Sequence, residues 1–344
     1  MKRILPFLIF ALLLSCSQKL FAQNFENPGE YMDYISKQQN NVSKKYMAYT
    51  SASAHGKRAK KVENLRNSLM NEVQESKMNI NAMPSFQGDK SYRDTAVSFM
   101  KLYYNVLNDD YGKIINMEEV AEQSYDAMEA YMMAKDMVDK KMEEANDMMQ
   151  LVQKSFAASH NVNLIDGKSE LGEMMKQVHD MNDYYNVVYL IFFKAYKEEV
   201  FLMEAIEKAN ITGIEQHNNS LLKYANDGLE KLKAIKAFQG DNSIVGTCRN
   251  MLNFYVKESG KMTTTSDFFL AKERFETIRK DYEKKSDHNK DDVDAYNKAV
   301  NDINKASQAY NNNNNSLNQQ RHDALNDWNK SIDQFFDEHT PHYK

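Results

Sequence analysis

The stretch MEEVAEQSYDAMEAYMMAKDMVDKKMEEANDMMQLVQKSF, Met117–Phe156, decides the fold class. Small and apolar residues recur along it in steps of three and four, with one stutter between Val138 and Met142. The full series is Met117, Val120, Ser124, Ala127, Tyr131, Ala134, Val138, Met142, Ala145, Met149, Val152 and Phe156. Heptad spacing sustained over this length predicts a long helix that packs against other helices. We interpret its methionines as core filling.

The composition of the 344-residue chain indicates the same class. It contains 11 glycines and 4 prolines, and no proline lies between Ser85 and Thr340. A β-rich chain would need many turns, which draw on glycine and proline, whereas long helices need few. The sequence therefore predicts an all-α protein, an elongated helical bundle of coiled-coil-like character.

The periodicity also predicts where the helices lie. The expected helices are Pro28–Ile80, Ser91–Asn108, Met117–His160, Ser169–Asn210, Thr212–Lys236, Ser243–Gly260, Ser266–Lys285 and Asp291–Glu338. The tract Asn311–Asn315 falls inside the last of them. Asparagine is a poor helix former, so we expect fraying or a kink there.

The tetrapeptide FQGD occurs twice, at Phe86–Asp89 and Phe238–Asp241, 152 positions apart. Other identities share this offset, such as Tyr103 with Tyr255. Farther along, the offset becomes 179, as for Phe156 with Phe335 and His160 with His339. Several identities at one offset predict an internal duplication. We predict two degenerate tandem repeats, residues 24–164 and 165–344, with an insertion near residues 260–290 of the second.

Each FQGD is interpreted as a corner between helices. Gly88 follows a helical pattern and would relieve the left-handed conformation that ends a helix. Asp89 or Ser91 would accept hydrogen bonds from the next helix, and Phe86 would pack the corner. The same residue types recur in the second copy.

The first residues read MKRILPFLIFALLLSC, a basic start followed by an apolar run, Ile4–Leu14. This run is too short to span a bilayer and is typical of a secretory signal, here residues 1–22. The sequence at 13–16 resembles a bacterial lipobox, in which Cys16 would carry the lipid. Cleavage after Ala22 is the alternative. We therefore expect an exported protein, either a lipoprotein of the outer membrane or cell surface, or a periplasmic or secreted protein.

The net charge limits the classes of binding partner that we expect, and the cysteine content limits the possible disulfide bonds. The net charge is −5, which is not the basic field typical of nucleic-acid binding, so no nucleic-acid partner is expected. A lipid on Cys16 would bring the chain into contact with a membrane. Cys248 has no disulfide partner unless Cys16 persists unlipidated, and its apolar surroundings are typical of a small buried side chain.

Positive charge concentrates in one stretch, SASAHGKRAKK, residues 51–61. Its cations are Lys57, Arg58, Lys60 and Lys61. Two interpretations stay open. The stretch is either a solvated basic face beside a tight helix crossing, or a patch for anionic lipid headgroups, surface polysaccharide or an acidic partner. The small residues before it would let another segment approach closely.

The sequence contains no recognisable catalytic motif: no HExxH, no nucleophile elbow and no glycine-rich phosphate loop. His339 and His342 have helical spacing but no acidic or sulfur partner at ligand spacing. We therefore predict no catalysis, no cofactor and no metal. The alternative is an enzyme that uses dispersed carboxylates in a pocket between helices.

Several stretches together resemble a family of bacterial proteins known only as exported surface proteins. They are the leader, SASAH, FQGD, EEVAEQSYDAMEAY at Glu118–Tyr131, NDYYNVVYLIFFKAYKEE at Asn182–Glu199, and the ending FFxxH at Phe335–His339. The resemblance covers most of the chain after the leader. It implies export and a helical fold, and it carries no catalytic residues.

Overall fold

The computed structural model describes residues 25–110, 120–165, 167 and 169–343. The α-helices of this part are α1 Pro28–Ala54, α2 Ala59–Asn81, α3 Ser91–Asn105, α4 Tyr125–Ser159, α5 Glu170–Glu207, α6 Ile211–Leu232, α7 Ser243–Ser259, α8 Met262–Glu283 and α9 Lys290–His339. The predicted all-α helical bundle is confirmed. The 50-residue α9 extends for about 75 Å at the usual rise per residue. The leader with Cys16, and Met117, lie outside the described residues.

The prediction of one helix over Pro28–Ile80 is wrong, because the chain turns back after Ala54. Gly56 adopts a φ of 60°, a left-handed conformation that glycine tolerates. The backbone N–H of Lys57 then donates to the carbonyl of Ala52 at 3.1 Å, a bond that closes a helix end. Helices α1 and α2 therefore form a hairpin.

Two other predictions about helices also fail, one at the start of a helix and one inside a helix. Helix α4 does not run unbroken from Met117, because Ser124 is extended and its hydroxyl accepts from the N–H of Ala127 at 3.1 Å. Conversely, α9 continues through Asn311–Asn315 without interruption. Packing against α8 supports the helix there, as in the ring stack of Phe268 on Tyr310.

Two clusters of buried apolar residues form the core. One joins α1, α2 and α3 to the end of α4, where Met149, Phe156 and Ala157 are buried. The other joins α5, α6, α7 and α9 to Met128 and Met132, near the start of α4. Helix α4 thus contributes to both clusters, one at each end. Met133, Met137 and Met148 are exposed, and none of them belongs to the heptad series. Of the methionines in the series, Met149 is buried and Met142 is half-buried.

The two FQGD segments have the same geometry. In each, the Phe and Asp residues exchange backbone hydrogen bonds of 2.8–2.9 Å across Gln and Gly, which both have positive φ. These are two-residue turns with positive φ at both central positions. The expectation that Gly88 ends a helix is wrong, since α2 already ends at Asn81. Gly88 instead supplies the second left-handed position of the turn.

Each turn is fixed by the same kinds of contact. Asp89 Oδ1 accepts from the N–H of Ser91 at 2.8 Å, and Asp241 Oδ1 accepts from that of Ser243 at 2.7 Å. An aromatic group surrounds each turn. The group is Tyr31, Phe86, Phe156 and His160 in the first half, and Tyr184, Phe238, Phe335 and His339 in the second. The agreement is local, and duplication of the whole chain stays a prediction.

The segment that the repeat alignment treats as an insertion is part of a second kind of hairpin. Helix α8 runs back along the first half of α9. Few of its residues are buried, Met262 and Thr265 among them. Stacked rings join the two helices, including Tyr282 on Tyr296 at 4.6 Å between centroids. The hairpin is held largely by its own side chains.

Candidate functional site: a basic hairpin tip

The four cations predicted from the sequence lie at the tip of the α1–α2 hairpin, which we call the basic tip. Lys57 and Arg58 are in the connecting loop, and Lys60 and Lys61 are in the first turn of α2. All four are exposed. Because the predicted helix Pro28–Ile80 is broken here, the four cations do not lie along one continuous helix. The break brings them together on a convex end instead.

No side chain of the described residues forms an ion pair with these four cations. The partial positive charge at the start of α2 is offset by the partial negative charge at the end of α1, which lies at the same tip. Arg58 stands at the N-cap position and no side chain caps the helix there. The first turn of α2 contains no acidic residue. The basic tip therefore gathers four positive charges, unpaired within the described part of the structure, in a chain of net charge −5.

A groove of about 330 Å³ lies between α1 and α2 just below the tip. It is lined by Tyr49, Ser53, Lys57, Ala59, Val62, Glu63 and Arg66. Arg66 is held in place by the carbonyl of Leu107 at 3.0 Å and by Glu63 at 3.6 Å. Lys57 thus belongs both to the exposed tip and to the lining of this groove.

The other side of the hairpin end contacts the last residues of the chain. The hydroxyl of Ser51 accepts from the N–H of Tyr343 at 3.0 Å. The ring of His55 stacks on that of His342 with centroids 3.8 Å apart, and its Nε2 lies 4.0 Å from Asp337. The small residues of SASAH therefore accommodate the C-terminal segment.

His339 and His342 do not converge on a common site. His342 stacks on His55, whereas Nε2 of His339 lies 2.9 Å from Asp241 Oδ2. Among the described residues, Asp241, Glu338 and His339 offer three ligand atoms within 4.8 Å of one another. The pair His160 and Asp89, at 3.3 Å, has the same arrangement in the first half but lacks such an acidic neighbour, because Ser159 precedes His160. The pairing therefore acts in both halves as a tether between a helix end and its turn.

Sequence reasoning missed a buried charged cluster in the second half, which we call the acidic cluster. It consists of Glu199 on α5, Glu258 on α7 and Arg321 on α9. The arginine bonds both carboxylates, through Nε to Glu199 and through an Nη to Glu258. The side chains of Glu199 and Glu258 are 3% and 0% exposed. Nothing in their spacing along the sequence marks these residues, because they come from three distant helices.

Burial shapes the protonation of the acidic cluster. It raises the pKa of Glu258 to about 7, assisted by the neighbouring Glu199 and opposed by Arg321. Burial also raises the pKa of Glu199, again against the effect of Arg321. Oxygen Oε2 of Glu258 and the hydroxyl of Tyr255 are buried without a hydrogen-bond partner. One arginine thus faces two carboxylates, and Oε2 of Glu258 accepts no hydrogen bond from the described residues.

A second groove, of about 360 Å³, lies between α7 and α9. Its lining includes four amide or hydroxyl side chains, two aspartates, Asp323 and Asp327, and the ring of Phe254. Glu199, Glu258 and Arg321 do not line it. The buried carboxylates are therefore not presented to this groove.

Comparisons with known proteins add no assignment. No family model, curated protein or solved structure matches this chain. Among the helices of the described residues, none has the length and apolar character needed to cross a membrane.

Proposed function

We propose that this chain is an exported protein of the bacterial envelope with a binding role, and that the basic tip binds anionic lipid headgroups. The leader and the resemblance to exported surface proteins support export. The observation that carries the binding role is the basic tip itself, four exposed cations at the end of a hairpin with no ion pair among the described residues. Near an anionic membrane each such cation contributes about 1 kcal/mol of binding.

The local sequence favours binding over stability at this place. Asparagine, serine or aspartate at an N-cap stabilises a helix by about 1 kcal/mol, and acidic residues in the first turn add to this. The start of α2 has Arg58 at the cap, followed by Lys60 and Lys61. Departures from local stability rules without structural compensation are typical of functional sites.

The proposed anchor restricts how the tip meets a membrane. Phe25 packs against Tyr31 and Tyr34 at the start of α1, so only residues 17–24 separate Cys16 from the folded chain. Eight residues reach at most about 28 Å. Helix α1 is about 40 Å long, and the basic tip lies at its far end. A lipid on Cys16 and the basic tip therefore share one membrane only when α1 is tilted well away from the membrane normal.

Vesicle binding tests the proposal. The mature chain should sediment with vesicles that contain anionic phospholipid and not with neutral vesicles, and added salt should release it. Reversing Lys57, Arg58 and Lys61 to Glu should abolish this binding. A matched control reverses Lys231, Lys236 and Lys272, three exposed cations that are scattered over the second half and should leave binding intact. Equal binding by the tip variant and the control would refute the proposal, as would binding only to acidic polysaccharide or protein.

The alternative, an enzyme that uses dispersed carboxylates, has one observation in its favour. The acidic cluster places two carboxylates beside one arginine, and one of them holds a proton near neutral pH because of its burial. Neither carboxylate lines either of the two grooves, so a substrate would need another route to them. We therefore favour the binding role.

A further inference from the structure

The acidic cluster connects three helices through one cation. Arg321 on α9 reaches Glu199 on α5 and Glu258 on α7, and its own side chain is 15% exposed. Its remaining amine contact is with the side-chain oxygen of Asn318, on the same helix. Removing charges from water costs several kcal/mol for each ion, and attraction repays this only when every charge is matched. Here two carboxylates share one guanidinium.

Among the described residues, Arg321 is the one cation recorded beside Glu258. From α5 it is faced by Glu199, with Tyr196 beside that carboxylate, and from α9 by Arg321. Tyr255, one helical turn before it, lies on the same side of α7. The hydroxyl of Tyr255 and Oε2 of Glu258 are both buried and unpartnered. A proton on Glu258 would make the cluster electrically neutral. It would also convert the unpartnered carboxylate oxygen into an uncharged hydroxyl group.

The first half of the chain has uncharged residues at the matching places. The rings of Tyr31 and Tyr184 occupy equivalent positions in the two aromatic groups, which sets an offset of 153 between α1 and α5. Tyr46 then matches Glu199. With the offsets of 152 for α7 and 179 for α9, Val106 matches Glu258 and Met142 matches Arg321.

Electrostatic neighbours support this matching. Burial and then the nearby Tyr46 raise the pKa of Tyr103, and burial and then the nearby Glu199 raise the pKa of Tyr255. Tyr103 and Tyr255 are themselves a matched pair at the offset of 152. The matched places therefore hold Tyr, Val and Met in one half and Glu, Glu and Arg in the other.

We propose that Glu199, Glu258 and Arg321 form a proton-dependent lock that holds α9 against α5 and α7. With one proton on the two carboxylates, the cluster is neutral and the helices stay docked. When that proton leaves, a net negative charge remains buried, and opening of α9 lets water reach it. The proton is the only species taken up or released, so the device requires no other ligand.

The lock also has a consequence for the basic tip, which rests on the proposed binding role. The end of α9 and the residues after it contact Ser51 and His55 at the base of the tip. Loosening α9 would therefore disturb the support of the proposed membrane-binding surface. The lock itself does not depend on that role, because it can be measured without any membrane.

Hydrogen exchange across a range of pH tests the lock. The readout is the protection factor of amides in residues 317–328 of α9, corrected for the intrinsic rate, between pH 5 and pH 8. In the wild type, protection should fall by about tenfold for each pH unit up to about pH 7 and then level off, the slope expected for one linked proton. Glu258→Gln should remove this dependence. Glu230→Gln changes an exposed carboxylate and should behave like the wild type.

A second variant guards against misfolding of the first. Glu199→Tyr combined with Glu258→Val and Arg321→Met gives the second half the residues of the first, and it should be protected equally at every pH. Protection in the wild type that does not change with pH would overturn the lock. So would a pH dependence that persists in Glu258→Gln, or in the triple variant if Glu258→Gln does not fold. A loss of vesicle binding in any of them bears only on the proposed membrane role.

Discussion

The α1–α2 and α5–α6 hairpins turn in the same way but end in chemically different tips. After α1, Gly56 is left-handed and the N–H of Lys57 returns to Ala52. After α5, Ala209 is left-handed and the N–H of Asn210 returns to Ala205. The second tip then starts its next helix at once, since the side chain of Asn210 accepts from Gly213 at 3.1 Å. The first tip has one more residue and an arginine at the cap.

The difference separates what the fold requires from what the surface adds. A left-handed residue and a returning hydrogen bond are present at both tips, so they belong to the hairpin. The concentrated positive charge and the missing cap are present only at the first tip among the described hairpins of this kind. The acidic cluster is likewise a feature of one half only. We expect such one-sided features to carry function, and substitutions can test this.

The largest expected effect is at the acidic cluster. Arg321→Met introduces the residue type of Met142, its match in the first half. The two buried carboxylates then have no cation beside them. Leaving a buried charge unpaired costs about 3–5 kcal/mol of unfolding free energy, which urea denaturation at pH 8 would measure. The loss should shrink as the pH is lowered and the carboxylates take up protons. A variant as stable as the wild type at pH 8 would show that the two halves are interchangeable there.

A second effect should be equal in the two halves. Gly88→Ala and Gly240→Ala put a side chain on backbones with φ of 91° and 92°, although there is open space around both positions. Each should lose about 1–2 kcal/mol of stability from the backbone conformation alone. Thermal unfolding of both variants would check it. Unequal losses would mean that the two corners differ in ways that their geometry does not reveal.

The caps of the two tips should respond in opposite directions. Arg58→Asn gives α2 the cap that α6 has, and should raise the unfolding free energy by about 1 kcal/mol. Asn210→Ala removes the existing cap and should lower it by a similar amount. Urea titrations of the two variants would measure both changes. A destabilised Arg58→Asn variant would mean that Arg58 contributes to the fold through its stem.

A single substitution at the second FQGD turn should weaken the dependence of stability on acidic pH. Burial alone would raise the pKa of Asp241, but hydrogen bonds from the Ser243 backbone, His339 and the Ser243 hydroxyl outweigh it and lower that pKa. A carboxyl with a lowered pKa stabilises the fold above its usual pKa, near 4, and this stabilisation is lost as the pH falls through the lowered value. Asp241→Asn should therefore reduce the loss of melting temperature in acid. An unchanged acid profile would contradict the tether.

The all-α class and most helix boundaries could be predicted from the sequence because heptad spacing and scarce proline are local signals. The break after Ala54 was missed, since one glycine within a helical pattern does not by itself end a helix. The helical run of Asn311–Asn315 was misjudged for the opposite reason. There, packing against α8 overrides a weak local preference.

The two candidate sites also differ in whether local sequence signals reveal them. The cations of the basic tip are neighbours in sequence, so their charge was visible before the fold was known. The acidic cluster was not, because α5, α7 and α9 must pack before Glu199, Glu258 and Arg321 meet. The contact between SASAH and the C-terminal segment was equally invisible, apart from the small residues that permit a close approach.

The central claim of the account is that the basic tip binds anionic lipid. The variant that tests this claim most directly is also the one expected to change stability least. Lys57→Ala, Arg58→Asn, Lys60→Thr and Lys61→Gln together give the first tip the neutral character of the second. Exposed charges contribute little to folding, so the unfolding free energy should stay within about 1 kcal/mol of the wild type, on the stable side. Cosedimentation with anionic vesicles, measured on the same preparation, should be lost. A variant that folds equally well and still binds anionic vesicles as the wild type does would contradict the account.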